Sequence, residues 1–255
     1  MVSFLILDME IQFFYLLIFI LIVLQSIIGV GILVLGTPLL LILNYEFIEI
    51  MALLLPISIL TSLFNYLYLK YHKKNLKINL DRNIKKNFVI LFIPGIIIGL
   101  ILTREFQNFI NFKLLVSFVI ILSLITKWKL KDIINASPLF FKRFVLMLVG
   151  IIHGLTNSGG TLLTVFFTSL NNSKKDQSRY SITFYYLILV FVQYLVFLIV
   201  FKKEIFIEHL FHILLIITLA SIIGNIIAKI IDEKFFKKTI EILALFSAFY
   251  LLINN

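Results

Sequence analysis

The sequence predicts an all-α polytopic membrane protein in which eight membrane-embedded segments form two repeats of four. Three observations carry that expectation. Of 255 residues, 61% are hydrophobic and only 14% are charged, whereas an ordinary soluble domain is about 25% charged. Long apolar stretches recur at about 11–43, 47–69, 88–103, 112–126, 144–170, 180–201, 210–228 and 239–253. The first stretch of each set of four is interrupted by glycines among uncharged polar residues: Gln25-Ser26-Ile27-Ile28-Gly29-Val30-Gly31 and His153-Gly154-Leu155-Thr156-Asn157-Ser158-Gly159-Gly160-Thr161.

The two breaks lie 128 positions apart, so Gln25 aligns with His153, Gly29 with Asn157 and Gly31 with Gly159. In lipid an interrupted helix exposes backbone polar groups, which is tolerated only where they are buried in protein or line a watery cavity. Paired interruptions in corresponding places point to a binding site at a repeat interface. The third segments support the duplication independently: Gly95, Gly99 and Thr103 fall at four-residue spacing, as do Ala220, Gly224 and Ala228, a pattern that lets helix backbones approach closely. The halves are expected at 1–127 and 143–255, joined by a cytoplasmic linker at 128–142 that carries Asn135 and Ser137-Pro138.

Length and loop charge set the expected topology. Residues 11–43 are too long for one span, and 144–170 divides at its glycines into pieces of about 10–14 residues, a re-entrant rather than a spanning length. If all eight segments cross, Lys and Arg split 14 against 9 between the two sides; if both broken segments enter and leave on one face, the split is 19 against 4. The positive-inside rule favours the second arrangement. Each half then crosses three times and the halves are oppositely oriented, an inverted repeat in which the first segment of each repeat is re-entrant. The net charge of +10 is accordingly read as orienting charge, not as affinity for nucleic acid. The basic stretch from Lys70 to Lys86 is read as a solvated cytoplasmic loop beside the lipid bilayer. Met1 to Glu10 contain no Lys or Arg and no small-residue cleavage site, so the first apolar segment is expected to be retained.

Composition excludes several chemistries. The absence of Cys removes disulfides and thiolate sites. Among the four His only His209 and His212 lie near ligand spacing, so neither a metal site nor a cofactor is expected. All 13 Asp and Glu residues lie in loops or near segment ends, leaving no mid-membrane carboxylate to bind a cation or carry cation coupling.

A site for a small anion remains. Half-helices starting near Gly31 and Gly160 direct their first N–H groups and positive dipole ends toward one place, and such termini bind anions without Lys or Arg. The expected site comprises Gln25, Gly29, Gly31 and Thr37 from the first half with Thr156, Asn157, Ser158, Gly159, Gly160 and Thr161 from the second. Asn65 and Gln193, equivalent positions of the second segments, extend it. Ser58, Ser62 and Asn65 share a helical face that suits either a pathway or interhelical packing, with Thr61 nearby. His153, the one ionisable residue deep in an apolar run, is a candidate for proton coupling or anion contact; a neutral imidazole bonded between helices is the competing reading. The glycines themselves have a plainer alternative, kinks whose polar neighbours satisfy the freed backbone.

Two rival functions remain open on these residues. Asn157-Ser158-Gly159-Gly160 beside His153 faintly suggests an intramembrane serine protease, which needs a base within hydrogen-bond reach of the serine. Broken helices also line channels, so an anion channel fits the same pattern.

Gly29-Val30-Gly31 followed by Gly36-Thr37-Pro38-Leu39-Leu40, together with Gly150-Ile151-Ile152-His153-Gly154-Leu155-Thr156-Asn157-Ser158-Gly159-Gly160, resembles the TauE/SafE sulfite exporter family, also called the 4-toluene sulfonate uptake permease family. The small-residue third segments fit as well, and the resemblance spans essentially the whole chain. It implies a secondary transporter rather than an enzyme, a multi-pass permease of the bacterial inner membrane that moves small anions such as sulfite, sulfoacetate or sulfonates. Asn157 stands where members of that family often have Gly.

Overall fold

The computed structural model describes residues 2–73, 76, 88–129, 137–170, 175–202 and 210–253. Their regular structure is entirely helical. The elements are α1 (Val2–Ile28), α2 (Ile32–Ile42), α3 (Phe47–His72), a π-helical turn (Phe88–Phe92) leading into α4 (Ile93–Phe106), α5 (Phe112–Lys129), α6 (Leu139–Thr156), α7 (Gly159–Leu170), α8 (Lys175–Phe201), α9 (Leu210–Ile230) and α10 (Glu233–Ile253). Among the described residues, four helices are long and apolar enough to cross a membrane: Phe47–His72, Leu139–Thr156, Asp176–Phe201 and Phe211–Ile230. Gln12–Ile28, Ile32–Ile42, Phe112–Thr126 and Ala244–Ile253 are shorter apolar helices.

Large apolar residues cover much of the outside, and uncharged polar residues are buried inside alongside an apolar core. Phe118, Ile199, Phe211 and Phe246 are each more than 60% exposed, while Gln25, Ser58, Ser62, Asn65, His153, Asn157, Gln193 and Asn225 are buried. An exposed apolar surface around a polar interior suits a lipid solvent.

Local sequence explains most helix boundaries. A reciprocal capping box between Glu46 and Glu49 starts α3, satisfying amides that the first turn leaves free. Pro138 precedes α6, which opens on Leu139-Phe140-Phe141 ahead of two basic residues. That opening, with Lys142 and Arg143, makes α6 18 residues long, so the expectation of pieces of 10–14 residues holds for α7 but not for α6. Similarly α8 starts at Lys175, five residues before its apolar run, and takes Asp176 and Arg179 out of the expected loop. Asp176 in the first turn favours that extension by complementing the helix dipole. The basic stretch at 74–75 and 77–87, linker residues 130–136 and His209 lie outside the described residues.

Helix pairing follows an exchange rule. Helix α1 lies along α9 as α6 lies along α4; α2 packs on α10 as α7 packs on α5; α3 meets α9 as α8 meets α4. Swapping α1–α5 for α6–α10 turns each of these pairings into its counterpart, and the contacts α3–α8, α5–α10 and α2–α7 map onto themselves, whereas α1–α3, α2–α5 and α5–α6 have no counterpart of similar extent. The long seams close at glycines. A Cβ built at Gly95 would lie 2.6 Å from the Met147 carbonyl oxygen, one at Gly99 2.4 Å from that of Ile151, and one at Gly224 2.6 Å from Ser26 Cβ.

Chain ends of three helices converge. Lys73, just past α3, pairs with Asp176 in the first turn of α8. Lys229 near the end of α9 sits 5.8 Å from the ring centre of Tyr68. At the opposite end of α3, Lys113 Nζ donates to Asn44 Oδ1 at 2.9 Å, and the Phe47 and Phe112 rings stack at 4.2 Å.

Candidate functional site

Both breaks have the same geometry. Gly29 has φ 101° and Asn157, its equivalent, φ 59°, the left-handed region that Gly enters freely and Asn tolerates best among the rest. Each break closes one turn back: Gly29 N–H donates to Gln25 O at 2.7 Å and Asn157 N–H to His153 O at 2.9 Å. The next half-helix then starts against the same residue. A Cβ at Gly31 would lie 3.2 Å from the Gln25 backbone, a tight contact that the backbone must yield to admit, and one at Gly159 would lie 2.5 Å from His153 Cβ, where there is no room for a side chain.

The two half-helices, α2 and α7, meet at their starts. Asn157 Nδ2 donates to Thr37 Oγ1 at 3.4 Å, and a Cβ at Gly160 would touch Tyr186 at 3.0 Å and Val34 at 3.3 Å. Around that meeting point the first half is already hydrogen-bonded. Gln25 Oε1 accepts the Ile32 amide at 3.0 Å, and its Nε2 donates to Ser62 Oγ at 2.9 Å and Ser58 O at 3.3 Å. The Ser58 hydroxyl donates to Tyr186 Oη at 3.3 Å, and the Leu33 amide also reaches that phenol. The first amide of α2, expected to be free for an anion, is thus capped by Gln25, and the second approaches Tyr186.

The second break is less completely satisfied. Its hydroxyls serve the local backbone: Thr156 Oγ1 donates to Ile152 O at 2.7 Å and accepts the Ser158 amide at 3.2 Å, Ser158 Oγ donates to Thr156 O at 3.2 Å, and Thr161 Oγ1 donates to Ser158 O at 2.9 Å. Gln193 Nε2 donates to Asn157 Oδ1 at 2.7 Å and His153 O at 3.4 Å. Its Oε1 and both ring nitrogens of His153 are buried without a hydrogen bond, although the Gln193 amide approaches the imidazole. Tyr186 stands edge-on to that ring, with centroids 6.4 Å apart. Ser158 and His153 do not form a nucleophile–base pair, because the Ser158 hydroxyl is turned to Thr156 and the imidazole is not bonded to it.

The expected residues therefore form one buried chain of contacts. Gln25 links to Ser58, Ser62 and, through Tyr186, to His153 and Gly160; Thr37, Asn157 and Gln193 link the halves. Gly29 is set apart, against Thr183 and the Arg179 carbonyl of α8. Asn65 belongs to a second cluster that the sequence reading did not assemble.

That cluster centres on Arg179, which is 6% exposed and is the one charged side chain buried among the described residues. Its Nη2 donates to Ser26 O and to Asn225 Oδ1. Asn225 Nδ2 donates to Asn65 Oδ1 at 2.7 Å, and Asn65 Nδ2 to Ser26 Oγ at 3.0 Å. Ser26 lies in the last turn of α1, whose carbonyls lack intrahelical partners and form the negative dipole end. Arg179 neutralises that end. A signal existed in the sequence: Arg179, Tyr186 and Gln193 are spaced by seven and share one face of α8, and Asn225 is the lone amide inside the apolar run at 210–228.

Two discontinuous helices meeting inside a helical, lipid-facing protein, with uncharged polar groups at the junction, are the architecture of a membrane transporter. The chain belongs to the sulfite exporter TauE/SafE family, whose model matches residues 14–251. That is a family of transporters, not of enzymes. Comparison with curated proteins and with solved structures gave no match.

Proposed function

We propose that this chain is a secondary transporter of the bacterial inner membrane that carries small anions, sulfite or short sulfonates, past the point where its two helix breaks meet. The observation that carries the reading is the meeting itself, Asn157 bonded to Thr37 and Gly160 packed on Val34 and Tyr186. Site residues are Gln25, Gly31, Thr37, His153, Asn157, Gly159, Gly160 and Gln193, with Gly29, Asn65, Thr156, Ser158 and Thr161 shaping the breaks and their surroundings. The sign of the cargo is supported by burial: among the residues whose side chains are described no carboxylate is buried, and the buried charge is Arg179. Unpaired mid-membrane acids would instead have favoured a cation. His153, with both ring nitrogens unbonded, is the proposed coupling group.

The same proposal includes an inverted repeat of 1–127 and 143–255 joined at 128–142, with both broken segments re-entrant. The exchange rule of helix contacts supports it. So does the Lys73–Asp176 pair, because an arrangement in which all eight segments cross puts residues 70–87 and 171–179 on opposite sides. With no native Cys, labelling tests this directly. Tyr71→Cys and Ile230→Cys are expected to react from the cytoplasm and Phe109→Cys from outside; labelling of Tyr71→Cys and Ile230→Cys from opposite faces would overturn the topology.

Flux is tested in proteoliposomes with sulfite and methanesulfonate. Saturable, gradient-coupled uptake supports the carrier reading, whereas unsaturable conductance indicates a channel and no anion flux refutes the proposal.

A further inference from the structure

Where the ends of α3, α8 and α9 converge, a cavity of about 160 Å³ opens, lined by Tyr68, Lys73, Asp176, Arg179, Asn225 and Lys229 among others. Arg179 forms part of its wall while remaining 6% exposed, and the guanidinium Nε has no hydrogen-bond partner. Its Nη2 is held by the Ser26 carbonyl and Asn225, which orients the planar fork in the absence of an anion. Lys73 and Asp176 neutralise each other. Lys229, its ammonium 5.8 Å from the Tyr68 ring, adds a second positive charge. Arg179 and Lys229 together leave the cavity with a surplus of cation.

We propose that this cavity is an anion-loading site, distinct from the junction of the two breaks, that takes a small oxyanion such as a sulfonate between the Arg179 guanidinium and the Lys229 ammonium. A guanidinium fork matches the oxygens of such a group and binds it with charge-assisted hydrogen bonds. Arg179 precedes Tyr186 by seven residues on α8, about 10 Å along the helix, so an anion held here lies short of the junction. Asn65, Asn225 and Ser26 close the floor between the two places. An anion that draws Arg179 away from Ser26 also removes the cation that caps α1 at its break, which ties loading to the broken helix.

The inference rests on the anion reading of the protein, but its test does not use transport. Ala228 lines the cavity, and Ala228→Cys introduces the chain's sole thiol. The full-length purified variant is reacted with an anionic methanethiosulfonate ethylsulfonate and with its cationic trimethylammonium analogue, each rate normalised to that of a small free thiol. Two surplus positive charges within several ångströms, screened by buffer salt, are expected to favour the anionic reagent about tenfold. Methanesulfonate is expected to slow the reaction, and Arg179→Gln to lower the preference about threefold, by removing one of the two charges, and to abolish the protection. Because Arg179→Gln also removes the α1 cap, Lys229→Gln serves as the milder variant and is expected to lower the preference about threefold with unfolding temperature unchanged. Equal normalised rates for the two reagents, or methanesulfonate protection that survives Arg179→Gln in folded protein, would overturn the proposal. Protection without proteoliposome flux would instead refute the transporter reading and leave this site standing.

Discussion

Gly99→Ala tests whether the seam between α4 and α6 is what holds the second break in place. The new Cβ would lie 2.4 Å from Ile151 O and 2.9 Å from Gly154 Cα, whereas ordinary contact begins at 3.4 Å. The obstacle is backbone, so relief requires the helices to part by about 1 Å at that level, a gap that forfeits up to about half of a dispersion well. With some 20 atom pairs across the seam at about 0.1–0.2 kcal/mol each, the loss is about 1–2 kcal/mol. The Thr103 hydroxyl bond to Gly154 O at 3.2 Å stretches as well, for a further ~0.6 kcal/mol. Replacing a helical Gly returns about 1 kcal/mol, so net destabilisation of about 0.6–1.6 kcal/mol is expected. Gly36→Ala is the control, since its Cβ would meet only the Leu54 and Leu21 methyls at 2.9 and 3.0 Å, flexible ends that can turn aside. Thermal unfolding of detergent-purified protein, followed by size-exclusion recovery, compares them. A Gly99→Ala protein as stable as wild type, or no less stable than Gly36→Ala, would refute the reasoning.

Asn157→Gly should keep the φ of 59° at little backbone cost, while Asn157→Ala should lose about 1–2 kcal/mol from the left-handed conformation, read as a difference in unfolding temperature between the two variants. Gln25→Ala uncaps Ile32 and leaves Ser62 without its donor, so a loss of about 1–3 kcal/mol together with reduced anion flux is expected; unchanged flux would remove Gln25 from the site. His153→Gln places in the second half the side chain that the first half carries at the equivalent position. Flux that persists but no longer changes between acidic and neutral pH is the expected outcome, and an unaltered pH profile would take coupling away from His153.

Much of this architecture was legible in the chain because lipid leaves few options. Apolar runs separated by charged loops, and glycine breaks at an offset of 128, located the breaks that the structure places at Gly29–Gly31 and Asn157–Ser158. Small residues at four-residue spacing marked seams that proved to be backbone contacts at Gly95, Gly99 and Gly224. Helix starts were less legible. Lys142-Arg143 and the polar stretch 175–179 look like loop, yet they lie within α6 and α8, since hydropathy reads lipid contact while backbone hydrogen bonding continues through a charged first turn.

The contents of the site divide in the same way. Sequence alone determined that the interior would carry uncharged amides and hydroxyls at two breaks, because a backbone opened in lipid requires polar neighbours. Only the tertiary structure decided which of them partner one another: that Gln25 occupies the first amide of α2, that the ring nitrogens of His153 are left unbonded, and that Arg179 crosses to α1 with Asn65 and Asn225. Apart from the bond between Gln25 and Ile32, seven positions apart, those pairings join residues 39 to 160 positions apart. A periodicity confined to one helix cannot specify them, because they depend on how α1, α3, α8 and α9 come together in space.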